Sequence, residues 1–216
     1  MIYLDYQATT PMAPEVMAAM QPWLTDQFAN PHSAHKLGRK AAAAVEVARA
    51  EVAALLPTGG RVVFTSGATE AINLALIGGA RAMAKQGRRG IVTLASEHAA
   101  VLDTCRWLEG EGHPLTILPV GVNGLLDLAQ MKAAITPDTA LVAVMQVNNE
   151  IGVVQPAEAI AALAHAMGAT FLCDAVQGFG RLPAPNTADM IALSGHKIYG
   201  PKGIGALWLR DGVPLD

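Results

Sequence analysis

A lysine occupies the segment of this sequence that is best suited to covalent chemistry. Residues 194–203 read SGHKIYGPKG and directly follow the apolar run MIAL. A lysine flanked by serine, histidine and glycines at the end of a buried strand is typical of an amine that forms a Schiff base. We therefore predict that Lys197 is a Schiff-base lysine, and we interpret Lys202 as surface charge.

Asp174 ends the apolar run TFLCD, where an unpaired carboxylate would be costly. Such a carboxylate requires a cationic partner, and a protonated pyridine nitrogen would serve. An aspartate in a surface turn explains the same residue equally well, because polar side chains are common where strands end. The residue alone leaves both interpretations open.

Two further segments offer groups that could bind a ligand. Residues 66–69, SGAT, would place free backbone N–H groups and a hydroxyl at a helix N-terminus, which suits an anion. An ordinary helix cap is the favoured interpretation of that segment by itself. His98 follows one predicted strand and precedes a helix, so by itself it indicates a capping histidine.

The composition excludes several classes of protein. Hydrophobic residues make up 52% of the chain and charged residues 15%, a balance that is untypical of disordered proteins. The net charge of -3 gives no electrostatic footprint for nucleic acid or an anionic membrane. No apolar run approaches the roughly 18 residues of a membrane span. Cys105 and Cys173 lack metal-ligand spacing, so we expect packed thiols in a cytoplasmic protein.

Short apolar runs alternate with longer helical patterns along most of the chain. This alternation predicts an α/β fold with a mostly parallel sheet that is covered by helices on both faces. The predicted strands are residues 61–65, 90–94, 115–119, 140–147, 170–174, 190–194 and 205–209. The predicted helices are residues 36–56, 69–85, 99–109, 128–135 and 156–167. The apolar spacing of the first of these helices predicts one buried face.

Polar segments follow five of the predicted strands, in a chain that is otherwise poor in polar residues. They are residues 66–69, 96–98, 148–150, 174–177 and 194–197. Ligands of open α/β sheets bind beyond the carboxyl ends of the strands. We therefore expect these five segments to meet in one site.

Seven stretches of the sequence resemble cysteine desulfurases, which are pyridoxal-phosphate (PLP) enzymes of the class V aminotransferase group. The stretches occur in the order of the family and span nearly the whole chain. They are residues 3–11 (YLDYQATTP), 30–33 (NPHS), 64–73 (FTSGATEAIN), 97–98 (EH), 147–152 (VNNEIG), 174–177 (DAVQ) and 194–205. The resemblance implies the large domain of a type I PLP-dependent transferase.

The same resemblance implies roles for individual residues. Lys197 would carry the cofactor and shuttle protons, and Asp174 would pair with the pyridine nitrogen. His98 would stack on the ring and act as an acid–base group. The further implied cofactor ligands are Gln177 at the ring hydroxyl, Asn149 beside it, and Ala68, Thr69, Ser194 and His196 at the phosphate.

The implied reaction removes sulfur from L-cysteine and gives L-alanine and an enzyme persulfide. The persulfide would serve iron–sulfur cluster assembly or thiolation, with a homodimeric enzyme and a scaffold or other sulfur acceptor as partners. A selenocysteine lyase or an aminotransferase of the same group remains an alternative. A truncated domain that only binds or dimerises is another.

The resemblance also implies an organisation of the chain. We expect an N-terminal arm and short helix over residues 1–35 and the PLP-binding large domain over residues 36–209. Residues 210–216 would be a truncated connection, with the C-terminal small domain and its persulfide cysteine absent. The activity of such a chain by itself is left open by the sequence.

Overall fold

The computed structural model describes residues 2–216, whose strands form one seven-stranded sheet. The strands are β1 (Gly60–Thr65), β2 (Gly90–Leu94), β3 (Leu115–Leu118), β4 (Thr139–Met145), β5 (Thr170–Asp174), β6 (Met190–Ser194) and β7 (Gly205–Arg210). Their order is β1-β7-β6-β5-β4-β2-β3. Strand β7 pairs antiparallel with β1 and β6, and the other neighbours are parallel.

Six α-helices accompany the sheet within the described residues. They are α1 (Pro14–Thr25), α2 (Lys36–Ala53), α3 (Ala68–Ala84), α4 (Ala99–Gly110), α5 (Leu128–Ala134) and α6 (Ala157–Ala166). The sequence predicted α3 to α6 to within a residue or two, and it predicted the bounds of β2, β5 and β6 as they are found. None of the helices in the described residues is long and apolar enough to cross a membrane.

Two apolar clusters lie on opposite faces of the sheet. Helices α3 and α4 supply one of them, through buried residues such as Leu76 and Val101. Helices α5 and α6 supply the other, through residues such as Met131 and Ile160. Every residue of β4, β5 and β6 is buried, as a central parallel strand requires. The predicted α/β fold with helices on both faces is confirmed.

The predicted buried face of α2 is wrong. Only Gly38 and Ala41 of this helix are buried, and Leu37 is 52% exposed. The helix ends at Ala53, so the predicted apolar position Leu55 lies beyond it and is 66% exposed. The helix meets the core only near its C-terminus, where Val52 packs against the α5–α6 cluster. Most of the apolar side chains of α2 are therefore not covered by other described residues.

Candidate active site

One cavity of about 440 Å³ lies at the carboxyl ends of the parallel strands. It brings together the five polar segments that the sequence placed after strands, as the rule for open α/β sheets requires. All the residues predicted to hold a cofactor line it: Ala68, Thr69, His98, Asn149, Asp174, Gln177, Ser194, His196 and Lys197.

The loop that carries Lys197 is closed on itself by backbone hydrogen bonds. Strand β6 ends at Ser194, and residues Gly195–Lys197 form one turn of 3₁₀ helix. The Gly195 carbonyl accepts hydrogen bonds from Ile198 N at 3.1 Å and from Gly200 N at 2.9 Å. A Cβ on Gly200 would lie 2.8 Å from that carbonyl oxygen. Glycine at position 200 thus lets the backbone fold back onto Gly195, and the closed loop keeps Lys197 at the carboxyl end of β6.

The Lys197 amine is perturbed in the direction that a nucleophilic amine needs. Its Nζ donates a hydrogen bond to the Gln7 carbonyl at 2.5 Å. Partial burial lowers the pKa of Lys197, while the charges of Asp174 and Asp5 oppose that change and Arg181 adds to it. A lowered pKa increases the fraction of free amine at neutral pH, which is the form that attacks a carbonyl group.

Asp174 closes β5 with a buried carboxylate. The residue is 6% exposed, and its Oδ1 accepts a hydrogen bond from Val176 N at 3.0 Å. Burial raises the pKa of Asp174, and the hydrogen bond from Val176 and the charges of His98 and Lys197 oppose the rise. None of the ion pairs found within residues 2–216 includes Asp174. A cation that entered the cavity would therefore stabilise this carboxylate.

The start of α3 forms the part of the cavity that suits an anion. The helix begins after Gly67, and its first residues Ala68 and Thr69 line the cavity. Thr65 Oγ1 donates a hydrogen bond to the Gly67 carbonyl at 2.8 Å, which fixes the turn before the helix. A Cβ on Gly205 of β7 would lie 2.5 Å from the Gly67 carbonyl carbon. Glycine at position 205 therefore lets the turn pack directly on the sheet.

His98 both caps a helix and lines the cavity. Its Nδ1 accepts a hydrogen bond from Ala100 N at 3.1 Å at the start of α4. Because Nδ1 is the acceptor, the geometry assigns the proton of a neutral ring to Nε2. The capping role that the residue type indicated and the cavity position implied by the resemblance are thus compatible.

Asn148 and Glu97, which had no predicted role, tie two of the polar segments together. Asn148 Nδ2 donates to the Ser96 carbonyl at 2.8 Å. Glu97 Oε1 accepts a hydrogen bond from Met145 N at 2.9 Å, whereas its buried Oε2 has no partner among the described residues. Burial raises the pKa of Glu97 well above its ordinary value. These contacts fix the segments that carry His98 and its neighbour in the cavity, Asn149.

The N-terminal arm, residues 2–13, supplies cavity groups that residue types alone did not identify. Ala8 and Thr9 line the cavity. The Gln7 carbonyl, which accepts a hydrogen bond from Lys197, also accepts one from Gln177 Nε2 at 2.7 Å. The resemblance of residues 3–11 to a family motif was the only signal in the sequence for this part of the site.

His196 and Lys202 also line the cavity. His196 Nδ1 lies 3.0 Å from Thr9 Oγ1. Burial lowers the pKa of His196, and the charges of Lys197 and Lys202 add to the change, which favours the neutral ring. Lys202 is exposed, as predicted for a surface charge, and nevertheless lines the cavity.

Neither cysteine carries a reactive thiol. Cys105 and Cys173 are free and fully buried. Burial raises the pKa of Cys105 to about 12 and raises that of Cys173 well above its ordinary value. Since the thiolate is the nucleophile, both are packed thiols, as the sequence predicted.

A sequence profile for aminotransferase class-V matches residues 2–214 of the chain. Cysteine desulfurase IscS of Rickettsia rickettsii (strain Iowa) is 51% identical over 214 residues, and the enzyme of Rickettsia bellii (strain OSU 85-389) is 50% identical. Each alignment covers 97% of this chain and 52% of the relative. The chain therefore spans about half the length of these curated relatives.

Solved structures agree with these sequence relationships. A NifS-like protein superposes with a TM-score of 0.93 at 35% identity, over 99% of this chain and 60% of that protein. SspA in complex with cysteine gives a TM-score of 0.91 at 42% identity, over 98% of this chain and 62% of that protein. DndA from Streptomyces lividans gives 0.86 at 38% identity, over 100% and 63%.

Proposed function

We propose that this chain, which belongs to the class-V aminotransferase family, is the PLP-binding part of a cysteine desulfurase. The observation that carries the proposal is the meeting of an amine, a buried carboxylate and a helix N-terminus in one cavity. These are Lys197, Asp174 and the start of α3. Similarity to IscS enzymes and to SspA in complex with cysteine supports L-cysteine as the substrate.

The chemistry of the cavity fits PLP at both ends of the cofactor. The first turn of α3, with Ser194 and His196, would hold the phosphate, because N–H groups at a helix start favour an anion. Asp174 would hold the pyridine nitrogen in its protonated form. That protonated nitrogen would be the cationic partner that the buried carboxylate lacks. Lys197 would hold the cofactor covalently through Nζ, and Gln177 and Asn149 would bind the ring substituents.

The bound cofactor supplies an electron sink that weakens bonds to the Cα atom of an amino acid. The chain itself contributes groups that hold and move protons. Lys197, with its lowered pKa, would accept a proton at Nζ and return it to the substrate. His98 offers a second acid–base group on the cavity wall. Asp174 would pair with a protonated ring nitrogen.

We assign cofactor binding and substrate activation, but not sulfur acceptance, to the described residues. Desulfuration of L-cysteine gives L-alanine when the sulfur passes to a thiol, which becomes a persulfide. Cys105 and Cys173 are buried and protonated, so neither can attack the substrate sulfur. The acceptor thiol must come from outside the described residues. A homodimer and an iron–sulfur scaffold or another acceptor protein complete the proposal, as the resemblance implies.

Absorption spectroscopy of the purified chain with added PLP tests this proposal. We expect a visible band from covalently attached cofactor, and we expect L-cysteine to change that band. Lys197→Ala should abolish the band, because the amine is lost. Lys202→Ala is the matched control, since it removes a nearby exposed lysine and should leave the band in place. A folded chain without any band, or a band that survives in Lys197→Ala, would refute the proposal.

A further inference from the structure

We infer that Thr10 is a positioning residue that fixes the Lys197 loop in the geometry for cofactor attachment. The inference deepens the proposed function and rests on it, since it takes Lys197 as the attachment point. It concerns how the N-terminal arm, far away in sequence, sets the place of this lysine.

Thr10 makes a three-fold backbone clamp on the residues that flank Lys197. Its N–H donates to the His196 carbonyl at 2.9 Å, and its Oγ1 donates to the same carbonyl at 2.8 Å. The same Oγ1 accepts a hydrogen bond from Tyr199 N at 2.8 Å. Because the Thr10 hydroxyl both donates and accepts, it links His196, directly before Lys197, to Tyr199, two residues after it. Serine could do the same, whereas valine, with the same shape, could not.

Burial distinguishes Thr10 from the rest of the arm. It is 6% exposed, whereas residues 2–8 of the arm are exposed. Water can replace the partners of an exposed group, but a buried amide that loses its partner retains the full cost of desolvation. The contacts of Gln7 with Lys197 and Gln177 are exposed, whereas those of the Thr10 hydroxyl are partly buried, so water replaces the Gln7 contacts more readily.

Tyr199 shows why the loop requires a clamp. It is the one non-glycine residue with a positive φ in the described chain, at 63°. Such a conformation persists in an L-residue only when the surroundings determine it. The Tyr199 N–H bonds Thr10, and its carbonyl accepts from Ala13 N at 2.9 Å. The arm thus holds both sides of the residue that turns the chain after Lys197.

Hydrogen exchange of the cofactor-free chain tests the clamp without any dependence on PLP. We expect Thr10→Val to speed exchange of amides in residues 195–204 about tenfold, which corresponds to one typical hydrogen bond. Thr10→Ser should restore the wild-type rate. Thr25→Val is the matched control, because its hydroxyl bonds the Gln21 carbonyl on the exposed helix α1. Unchanged exchange in Thr10→Val would overturn the inference.

The rate of covalent PLP attachment, followed by stopped-flow absorbance, gives the second readout. Thr10→Val should slow attachment about tenfold, in line with its exchange, and Thr10→Ser should match the wild type. Attachment at the wild-type rate in Thr10→Val would contradict the inference. So would a loss of cooperative unfolding in urea, because it would show that Thr10 supports the whole fold rather than the Lys197 loop. A wild-type chain that takes no PLP would refute the proposed function, while the exchange data would still decide the clamp.

Discussion

The sheet and the surface formed by α1 and α2 are both rich in apolar residues, but they use them differently. In β4, β5 and β6 every residue is buried, and polar side chains appear only at the first or last residue of a strand. In α1 no residue is buried, and even the apolar Leu24 is 67% exposed. Apolar residues thus form a closed core in one region and an open surface in the other.

The difference shows that apolar periodicity predicts a helix but not what the helix will pack on. An apolar groove of about 340 Å³ lies between α1 and α2, with Trp23, Phe28 and Val45 among its lining residues. Phe28 is 77% exposed. Contiguous apolar surface of this kind usually marks a contact region rather than a failure of folding. The candidate active site lies instead at the sheet, at the carboxyl ends of the buried strands.

The largest contrast should come from truncating one leucine in each region. Leu141→Ala in β4 should lower the free energy of unfolding by about 2–5 kcal/mol, because the fully buried side chain leaves a cavity. Leu24→Ala in α1 should change it by about 0.5 kcal/mol or less. Urea titrations followed by circular dichroism measure both. A cost at Leu24 similar to that at Leu141 would remove the distinction between the two regions.

Glycine at position 205 tests how tightly the sheet region is built around the site. Gly205→Ala should destabilise the fold by about 1–3 kcal/mol, because the new methyl group meets the Gly67 backbone. It should also weaken PLP binding, since the start of α3 must move. Gly110→Ala is the control, because its Cβ would enter open space in a helix. That variant should gain up to about 1 kcal/mol.

The buried carboxyl group of Glu97 predicts a pH dependence. Its folded pKa is raised above the unfolded value of 4.5, so its contribution to stability is complete below that pH. The contribution is lost as the pH rises through the folded pKa. Glu97→Gln keeps an acceptor for Met145 N and cannot ionise. The variant should therefore gain stability relative to the wild type as pH rises above 4.5, in urea titrations across pH. A constant difference would show that Glu97 does not titrate anomalously.

The smallest effect on stability is expected at the exposed groove. Phe28→Ser should leave the free energy of unfolding unchanged to within about 0.5 kcal/mol. It should nevertheless lower the fluorescence of a bound apolar dye, because it removes exposed aromatic surface from the groove. Equal dye binding by variant and wild type would show that the groove is not the apolar surface available to ligands.

The sequence predicts the sheet region well because its signals are local. The runs that became β5 and β6 are short, apolar and bounded by polar residues, and Asp174 and Lys197 stand directly after them. The contacts of the N-terminal arm could not be predicted in this way. Thr10 bonds backbone groups of His196 and Tyr199, which lie almost at the other end of the chain and carry no pattern that pairs them with a threonine. The open face of α2 could not be predicted either, since burial depends on what surrounds a helix.

The attachment of PLP to Lys197 is the central claim, and peptide mapping after borohydride reduction tests it most directly. The wild-type chain is incubated with PLP, reduced, digested and analysed by mass spectrometry. We predict that the mass of the reduced cofactor is found on the peptide that contains Lys197, and on no other lysine in stoichiometric amount. A chain that is folded but unmodified at Lys197, or that is modified mainly at Lys202 or elsewhere, would contradict the account.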